Sequence, residues 1–180
     1  RLMDQRQTRV VVISGRTVED VKPLLGLEPA PEIWGSHGLE RRLPDGSYRV
    51  GPLDAEGVRG LANADEWVAA QELESRCETK PGSVALHWRG LDPEERRRLE
   101  LTARKGWTPL AHRFHLELNP FDGGLEIRVP DRNKGDAVRT LLEESPASVA
   151  AAYLGDDWTD EEAFQALADR GLKLLVRSEP

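Results

Sequence analysis

The sequence predicts an α/β fold that carries an inserted α+β segment. Two short apolar runs, VVVI (Val10 to Ile13) and AAAYL (Ala150 to Leu154), are each followed by a helical pattern. Continuous apolar runs of this kind are typical of parallel strands buried on both faces. Between them the pattern changes to alternating strands and hairpins. We therefore expect residues 1–36 and 123–180 to form a core, and residues 37–122 to form an inserted lid.

The flanking segments predict further helices and a closing strand. Thr17 is placed to cap a helix that Gly26 ends, and Asn133 precedes a second helix. A third helix is expected after the YLG strand, and LKLLV (Leu172 to Val176) predicts the last strand. We expect the strands of both flanks to belong to one sheet, with their carboxyl ends at one edge.

The inserted segment predicts a mixture of strands and helices. A hairpin is expected around Pro44-Asp45-Gly46, followed by a long helix from about Asp54 to Ser75. SVALHW alternates like a half-buried strand, and Pro93 to Lys105 is a charged amphipathic helix. FHLEL and LEIRV alternate again, which predicts two more strands.

Composition excludes several classes of protein. The 180 residues suit one domain with an insertion, and the net charge of -7 argues against a protein that binds the nucleic-acid backbone. No run of apolar residues is long enough to predict a membrane span. The single Cys77 rules out an internal disulfide, so we expect a cytoplasmic protein without nucleic-acid or membrane partners.

The acidic stretch YLGDDWTDEEAF, residues 153–164, is partly explained by a helix start. Thr159 and Glu162 have the spacing of a capping box. Asp160 and Glu161 favour the positive end of the helix dipole. These residues are therefore expected to build the first turn of the third helix.

Asp156 and Asp157 are not explained by that helix. They follow a strand and precede the cap, at the edge where open parallel sheets bind ligands. Adjacent carboxylates repel each other, and a divalent cation such as Mg²⁺ relieves the repulsion. The pattern leaves two interpretations open, a metal site and a solvated turn.

Two further positions at the same edge favour an anion. Ser14, Gly15 and Arg16 follow the first strand and precede a helix, where a hydroxyl and backbone N–H groups bind anions. Lys134 lies in the first turn of a helix, the unfavourable end of the dipole for a cation. A plain turn and a surface lysine are the alternatives. Together with the carboxylates, these groups favour phosphoryl transfer, although no residue is placed to attack the phosphorus.

Three segments, VVVISGR, RNKGDAV and YLGDDWTDEEAF, resemble motifs of haloacid-dehalogenase-superfamily (HAD) phosphatases. More narrowly, IWGSHGLE, KPGSVALHW and GDDWTDEEAF are similar to segments of the trehalose-6-phosphate phosphatases, and the resemblance extends from about Arg9 to Val176. It implies a Rossmann-like HAD core with an inserted α+β cap of the C2 type. It also implies a phosphoaspartyl intermediate on an aspartate of a DxDGT motif.

The resemblance also implies roles for the core residues. Ser14 and Lys134 would bind the phosphoryl group, and Asp156 would ligate Mg²⁺. Asp157 and Asp160 would support the metal shell or orient Lys134. Gly15 and Arg16 would lie beside the substrate.

Three more residues are implied to contact the substrate. Lys80 and Glu126 would bind sugar hydroxyls from the cap, and His37 would lie at the cap entrance. The residues themselves leave simpler interpretations open: a turn lysine, an exposed strand residue and a loop histidine.

We therefore expect a Mg²⁺-dependent phosphatase that converts trehalose 6-phosphate to trehalose. Because DxDGT is absent from the 180 residues, we expect the nucleophile and its strand to lie upstream, and the chain as given to be an inactive fragment. A trehalose-6-phosphate synthase domain or subunit is an expected partner. The alternatives are a phosphatase for another sugar phosphate and a binding or regulatory module without a nucleophile.

Overall fold

A computed structural model describes residues 8–130 and 133–176. Within these ranges the chain forms two compact units, residues 8–51 with 133–176, and residues 52–130. These bounds differ from the predicted core and lid at both ends. The segment up to residue 51 belongs to the first unit because its strands extend that unit's sheet, and 123–130 belongs to the second because its strand pairs there.

The elements follow one another in a mixed α/β order. In chain order they are β1 (Val11–Ile13), α1 (Val18–Leu25), β2 (Glu32–Gly35), β3 (Glu40–Arg42), β4 (Tyr48–Val50), α2 (Ala55–Ala70), β5 (Cys77–Lys80), β6 (Ser83–His87), α3 (Pro93–Phe114), β7 (Glu117–Phe121), β8 (Gly124–Arg128), α4 (Lys134–Glu143), β9 (Ala151–Gly155), α5 (Glu161–Leu167) and β10 (Gly171–Leu175). The predicted α/β class is confirmed. None of the helices in the described ranges is both long and apolar enough to cross a membrane.

The first unit contains two sheets. One has the order β1-β2-β3-β4, with β1 and β2 parallel and the other pairs antiparallel, and the second pairs β9 with β10 in parallel. The expectation of one sheet is wrong for the described residues, because β1 and β9 are not hydrogen-bonded to each other. They nevertheless share one apolar cluster, since Ile13 and Tyr153 both pack against Val138, Ala163 and Leu167.

In the second strand pair, β9 is covered on one face only, and most of β10 is exposed. Ala151 and Tyr153 of β9 contact the apolar cluster, whereas Leu154 is 61% exposed and Leu172 of β10 is 58% exposed. Within residues 8–130 and 133–176, the AAAYL strand is therefore covered on one face, whereas the sequence predicts burial on both. Alternate side chains of a strand point to opposite faces, so one covered face accounts for this pattern.

The predicted caps of α1 and α4 are confirmed. Thr17 Oγ1 accepts a hydrogen bond from Asp20 N, and Gly26 ends α1 in the left-handed conformation, with φ 58°. Asn133 and Asp136 form a capping box at the start of α4, in which Asn133 Oδ1 accepts from Asp136 N at 3.1 Å. This cap fixes Lys134 as the first residue of α4.

The second unit packs α2 and α3 against an antiparallel sheet of order β5-β6-β8-β7. Helix α3 continues to Phe114, well past the predicted end at Lys105, because Trp107, Ala111 and Phe114 extend its buried face at helical spacing. Tertiary packing here overrides the weak helix propensity of Gly106 and Pro109. The strand predicted from FHLEL consequently begins only at Glu117.

A buried ionic network ties the first unit together. Glu32, which is 2% exposed, accepts hydrogen bonds from Arg9, Arg41 and Trp34. Arg41 also donates both terminal nitrogens to Glu144, at 2.5 and 2.6 Å, and Arg9 reaches the same carboxylate at 2.9 Å. The hydrogen bonds from Arg41 are the main reason why the pKa of Glu144 falls to about 2.

We expect this network to stabilise the protein in a pH-dependent way. Because the folded-state pKa of Glu144 is lowered, its contribution is present above the ordinary glutamate pKa and is lost as the pH falls towards 2. Glu144→Gln should lower the free energy of unfolding by about 1 kcal/mol at pH 7, discounted because the side chain is partly exposed. Urea unfolding from pH 7 to pH 2 should show this difference shrinking. The exposed neighbour Glu143 is the control, and a Glu143→Gln variant that loses as much stability would contradict the assignment.

Candidate functional site

The acidic stretch after β9 folds into a short 3₁₀ turn, Trp158–Asp160, which Asp157 caps. Asp157 Oδ1 accepts from Thr159 N at 2.8 Å and from the Thr159 hydroxyl at 2.5 Å. Asp157 N donates to Asp160 Oδ2, which completes a capping box between these two aspartates. The predicted box of Thr159 and Glu162 is therefore wrong, because the turn begins two residues earlier.

Asp160 is a buried acceptor of four hydrogen bonds. Its Oδ1 accepts from Lys134 Nζ and Tyr153 OH, each at 2.7 Å, and its Oδ2 accepts from the backbone N–H groups of Asp156 (2.9 Å) and Asp157 (3.1 Å). Burial raises the pKa of Asp160, but the donors outweigh it and the net pKa is lowered. Both carboxylate oxygens are thus occupied, which leaves Asp160 as a support for its neighbours.

Lys134 is 7% exposed, so it is not a surface lysine. Its ammonium group is held by Asp160 and lies 3.5 Å from Asp157 Oδ1. The next residue, Gly135, allows this approach, because a Cβ there would lie 2.6 Å from the backbone oxygen of Glu162. The close packing of α4 on α5 therefore places Lys134 directly over the acidic turn.

Asp156 is the carboxylate of this cluster that remains open to a ligand. Oxygens of Asp156, Asp157 and Asp160 lie within 4.8 Å of one another. Asp156 is exposed, and within residues 8–130 and 133–176 its side chain makes no hydrogen bond. One free carboxylate beside a second, partly engaged one fits Mg²⁺, which binds through one or two carboxylates and keeps several waters.

The Ser14 loop offers a small set of donors. The Ser14 hydroxyl accepts from Arg16 N at 3.1 Å, which leaves its own proton free to donate. At the start of α1, Val18 N already donates to Glu40, and Asp20 N to Thr17. Two of the N–H groups at this predicted anion cradle are therefore already occupied. In the Ser14 loop, the Ser14 hydroxyl proton and the Gly15 N–H remain as donors.

His37 lies against this loop. Its backbone N–H donates to Ser14 O at 3.0 Å, and a Cβ added to Gly15 would lie 2.6 Å from His37 Cε1. The following Gly38 approaches the start of α4, since a Cβ there would lie 2.9 Å from Asn133 O. The structure thus brings together Ser14, Gly15, His37 and the end of α4 that carries Lys134. Arg16 is exposed at the rim of the same loop.

The predicted residues of the second unit lie on one face of its sheet. Alternation along β5, β6 and β8 places Lys80 and Glu126 opposite the face that packs on α2 and α3. Lys80 Nζ lies 3.3 Å from Glu78 Oε2, and Glu126 accepts from the Ser83 hydroxyl at 2.9 Å. Glu126 is 7% exposed and is therefore not an ordinary exposed strand residue. The sugar-binding roles of Lys80 and Glu126 stay predictions.

Two residues of these clusters, Glu78 and Tyr153, are not among the site residues predicted from the sequence. Glu78 lies two positions before Lys80, so the period-2 pattern of a strand places both on one face. It also lies 3.1 Å from His87 Nε2. Tyr153 lies two positions before Gly155 in β9 and reaches Asp160, and its pKa is raised by burial and then by that hydrogen bond.

Comparison with known families shows where the chain belongs. Residues 1–179 match the family model described as trehalose-phosphatase. The chain belongs to the trehalose-phosphatase family. It is 31% identical to the trehalose-phosphate phosphatase of Mycobacterium marinum over 95% of the chain, and 32% identical to that of Mycobacterium ulcerans. The chain spans 45% of the length of each of these two relatives.

Solved structures confirm the predicted HAD fold for this trehalose-phosphatase family member. A trehalose-6-phosphate phosphatase related protein is 26% identical over 99% of this chain and 73% of its own, with a TM-score of 0.66. The C-terminal domain of the trehalose synthase regulatory protein of Candida albicans reaches a TM-score of 0.72 at 16% identity, over 98% of this chain and 73% of its own. A phosphatase of the HAD superfamily from Bacteroides thetaiotaomicron matches at 0.53 and 13%, over 92% and 70%.

Gly135→Ala should separate α4 from α5. The added methyl group would meet backbone, which cannot rotate away, so we expect a loss of about 1–3 kcal/mol in the free energy of unfolding measured with urea. Arg139→Ala, at an exposed position of the same helix, should change it by less than about 0.5 kcal/mol. A Gly135→Ala variant as stable as the wild type would show that the helices do not approach this closely.

Proposed function

We propose that the protein hydrolyses trehalose 6-phosphate to trehalose and phosphate. The observation that carries the proposal is the buried contact of Lys134 with Asp160 beside the open carboxylate of Asp156. This arrangement offers one cation for an anionic ligand and one carboxylate for a metal ion. Membership of the trehalose-phosphatase family supports the choice of substrate.

Lys134, Ser14 and Gly15 would bind the phosphoryl group. Lys134 has three N–H donors, and Asp160 takes one of them at 2.7 Å. The others would donate to phosphoryl oxygens in place of the longer, 3.5 Å contact with Asp157 Oδ1, together with the Ser14 hydroxyl and the Gly15 N–H. Donors that are fixed before the reaction stabilise charge that develops in the transition state. Asp160 acts through Lys134 by holding its ammonium group in place.

Asp156 would hold Mg²⁺, and Asp157 would support the metal shell. When bound, the ion would neutralise phosphoryl charge and orient the ester. Asp157 is already shared between Thr159 and the more distant Lys134, so Asp156 is the stronger ligand of the two. Asp160 is not assigned as a metal ligand, because its two oxygens already accept four hydrogen bonds.

The family's chemistry requires an attacking aspartate. We propose that it is supplied by a DxDGT segment outside these 180 residues, on a strand that joins β1 and β9. Two features support this: within residues 8–130 and 133–176, β1 pairs only with β2 and β9 only with β10.

The remaining predicted site residues would contact the sugar and the phosphate ester. Lys80, Glu126 and the adjacent Glu78 would bind sugar hydroxyls, and His37 and Arg16 would contact the ester near Ser14.

A cytoplasmic location is supported by the single Cys77. A trehalose-6-phosphate synthase domain is the proposed partner, because a similar fold occurs in a trehalose synthase regulatory protein.

The natural full-length protein should release phosphate from trehalose 6-phosphate only with Mg²⁺. Asp156→Asn and Lys134→Met should each lower kcat/KM by at least about 100-fold, because each removes a charge that faces the transition state. Asp169→Asn, at an exposed position after α5, is the matched control and should retain full activity. Undiminished phosphate release in EDTA would contradict the proposal.

Substrate choice requires its own comparison. Rates on trehalose 6-phosphate, sucrose 6-phosphate and glucose 6-phosphate should favour the first. A preference for either of the others would keep the chemistry and change the substrate. Calorimetric binding of trehalose 6-phosphate without any turnover by the full-length protein would instead indicate a binding or regulatory module.

A further inference from the structure

Glu40 is a buried carboxylate that the proposed reaction does not use. It is 3% exposed and begins β3, two residues after the turn Ser36–Gly38. Its Oε2 accepts from the Ser36 hydroxyl at 2.5 Å and from Val18 N at 3.3 Å, and its Oε1 accepts from Tyr48 OH at 2.8 Å. A carboxylate is buried at a high cost unless hydrogen bonds compensate, so these three donors define its place.

The turn that Glu40 holds has a strained backbone. Ser36 and His37 have φ angles of 46° and 56°, in the left-handed region that side chains other than glycine rarely adopt. Such residues persist only when their surroundings fix them, and they are concentrated at functional sites. The Ser36 hydroxyl ties the first of these two residues to Glu40.

The turn contacts both halves of the candidate phosphate site. On one side, Ser36 N donates to Arg16 O at 2.8 Å and His37 N donates to Ser14 O at 3.0 Å. On the other side, Gly38 lies against the first turn of α4, next to Lys134. The same three residues therefore contact both the Ser14 loop and the start of α4, and they set the distance between that loop and Lys134.

We propose that Glu40 is a positioning residue, which acts through the Ser36–Gly38 turn to set the placement of the Ser14 loop relative to Lys134. It touches neither the substrate nor a metal ion. The proposal rests on one part of the proposed function, the binding of a phosphoryl group by Ser14 and Lys134. It does not depend on which sugar is attached.

Glu40→Gln tests the proposal with little change in size. Glutamine keeps one acceptor oxygen and presents an NH₂ group to the remaining donors. When the glutamine oxygen faces Ser36 and Val18, and its NH₂ group faces the Tyr48 hydroxyl, the oxygen accepts as a neutral group. Hydrogen bonds to a charged acceptor are roughly twice as strong as those to a neutral one, so the turn is held less firmly. We expect the affinity of the full-length protein for inorganic phosphate, measured by calorimetry with Mg²⁺, to fall about tenfold.

Glu32→Gln is the matched control. Glu32 is equally buried, lies in the same sheet and accepts from Arg9, Arg41 and Trp34, but it makes no hydrogen bond to the turn. Its substitution should lower the Tm while phosphate affinity stays within about twofold of wild type, because truncating a buried ion pair destabilises the fold as a whole. Equal loss of phosphate affinity in both variants would overturn the proposal.

Ser36→Ala gives a second variant that leaves the buried charge intact. It should weaken phosphate binding about threefold or more, and the double variant with Glu40→Gln should lose less than the product of the two single effects. Unchanged phosphate affinity in Glu40→Gln, or in Ser36→Ala where Glu40→Gln does not fold, would overturn the proposal.

Parallel assays separate this inference from the proposed function. Absence of trehalose 6-phosphate turnover by the wild type, together with the expected loss of phosphate affinity in the variants, refutes the proposed function and supports the role of Glu40. Turnover by the wild type with unchanged phosphate affinity in the variants refutes the role of Glu40 alone. A wild-type protein that does not bind phosphate overturns both.

Discussion

The contact between Lys134 and Asp160 is the interaction on which the site of the first unit depends. A buried ion pair is favourable only when further hydrogen bonds compensate for the water that both charges lose. Asp160 meets this condition with three donors besides Lys134. Because those donors come from β9 and from the acidic turn, the pair joins α4, the end of the strand and the turn into one rigid arrangement.

The position of Lys134 is unfavourable for the helix that carries it. A cation in the first turn meets the positive end of the helix dipole, and burial adds a desolvation cost. Asp160 offsets both, and the cap formed by Asn133 and Asp136 fixes where the helix begins. A lysine kept at this position against local preference is consistent with a role that stability alone does not explain, because natural sequences break local rules mainly at functional sites.

Local chemistry was predictable from the sequence where a few adjacent residues determine it. Thr17, Gly26 and Asn133 act at short range, and each was assigned correctly. The end of helix α3 and the cap of the acidic turn were predicted wrongly, because both depend on contacts with residues distant in the chain. Trp107 and Phe114 extend α3 through tertiary packing, and Asp160 is turned inward by Lys134, which lies 26 residues earlier. The spacing of Trp107, Ala111 and Phe114 is compatible with a longer helix, but Gly106 and Pro109 argue against one, and no spacing indicates the contact between Lys134 and Asp160.

The hydrogen-bonding capacity that the described residues do not use among themselves defines the ligand more narrowly than the sequence motifs do. The acidic turn satisfies almost all of its own acceptors, and two N–H groups at the start of α1, those of Val18 and Asp20, already donate to Glu40 and Thr17. The groups that remain include the Asp156 carboxylate on one side, and on the other the Ser14 hydroxyl, the Gly15 N–H and the N–H groups of Lys134 that Asp160 does not take. A cation acceptor beside a set of anion donors matches a metal-bound phosphate monoester better than a free sugar or a free metal ion. The Asp160 carboxylate and several donors around these groups already hydrogen-bond within the protein, which limits the ligands that fit.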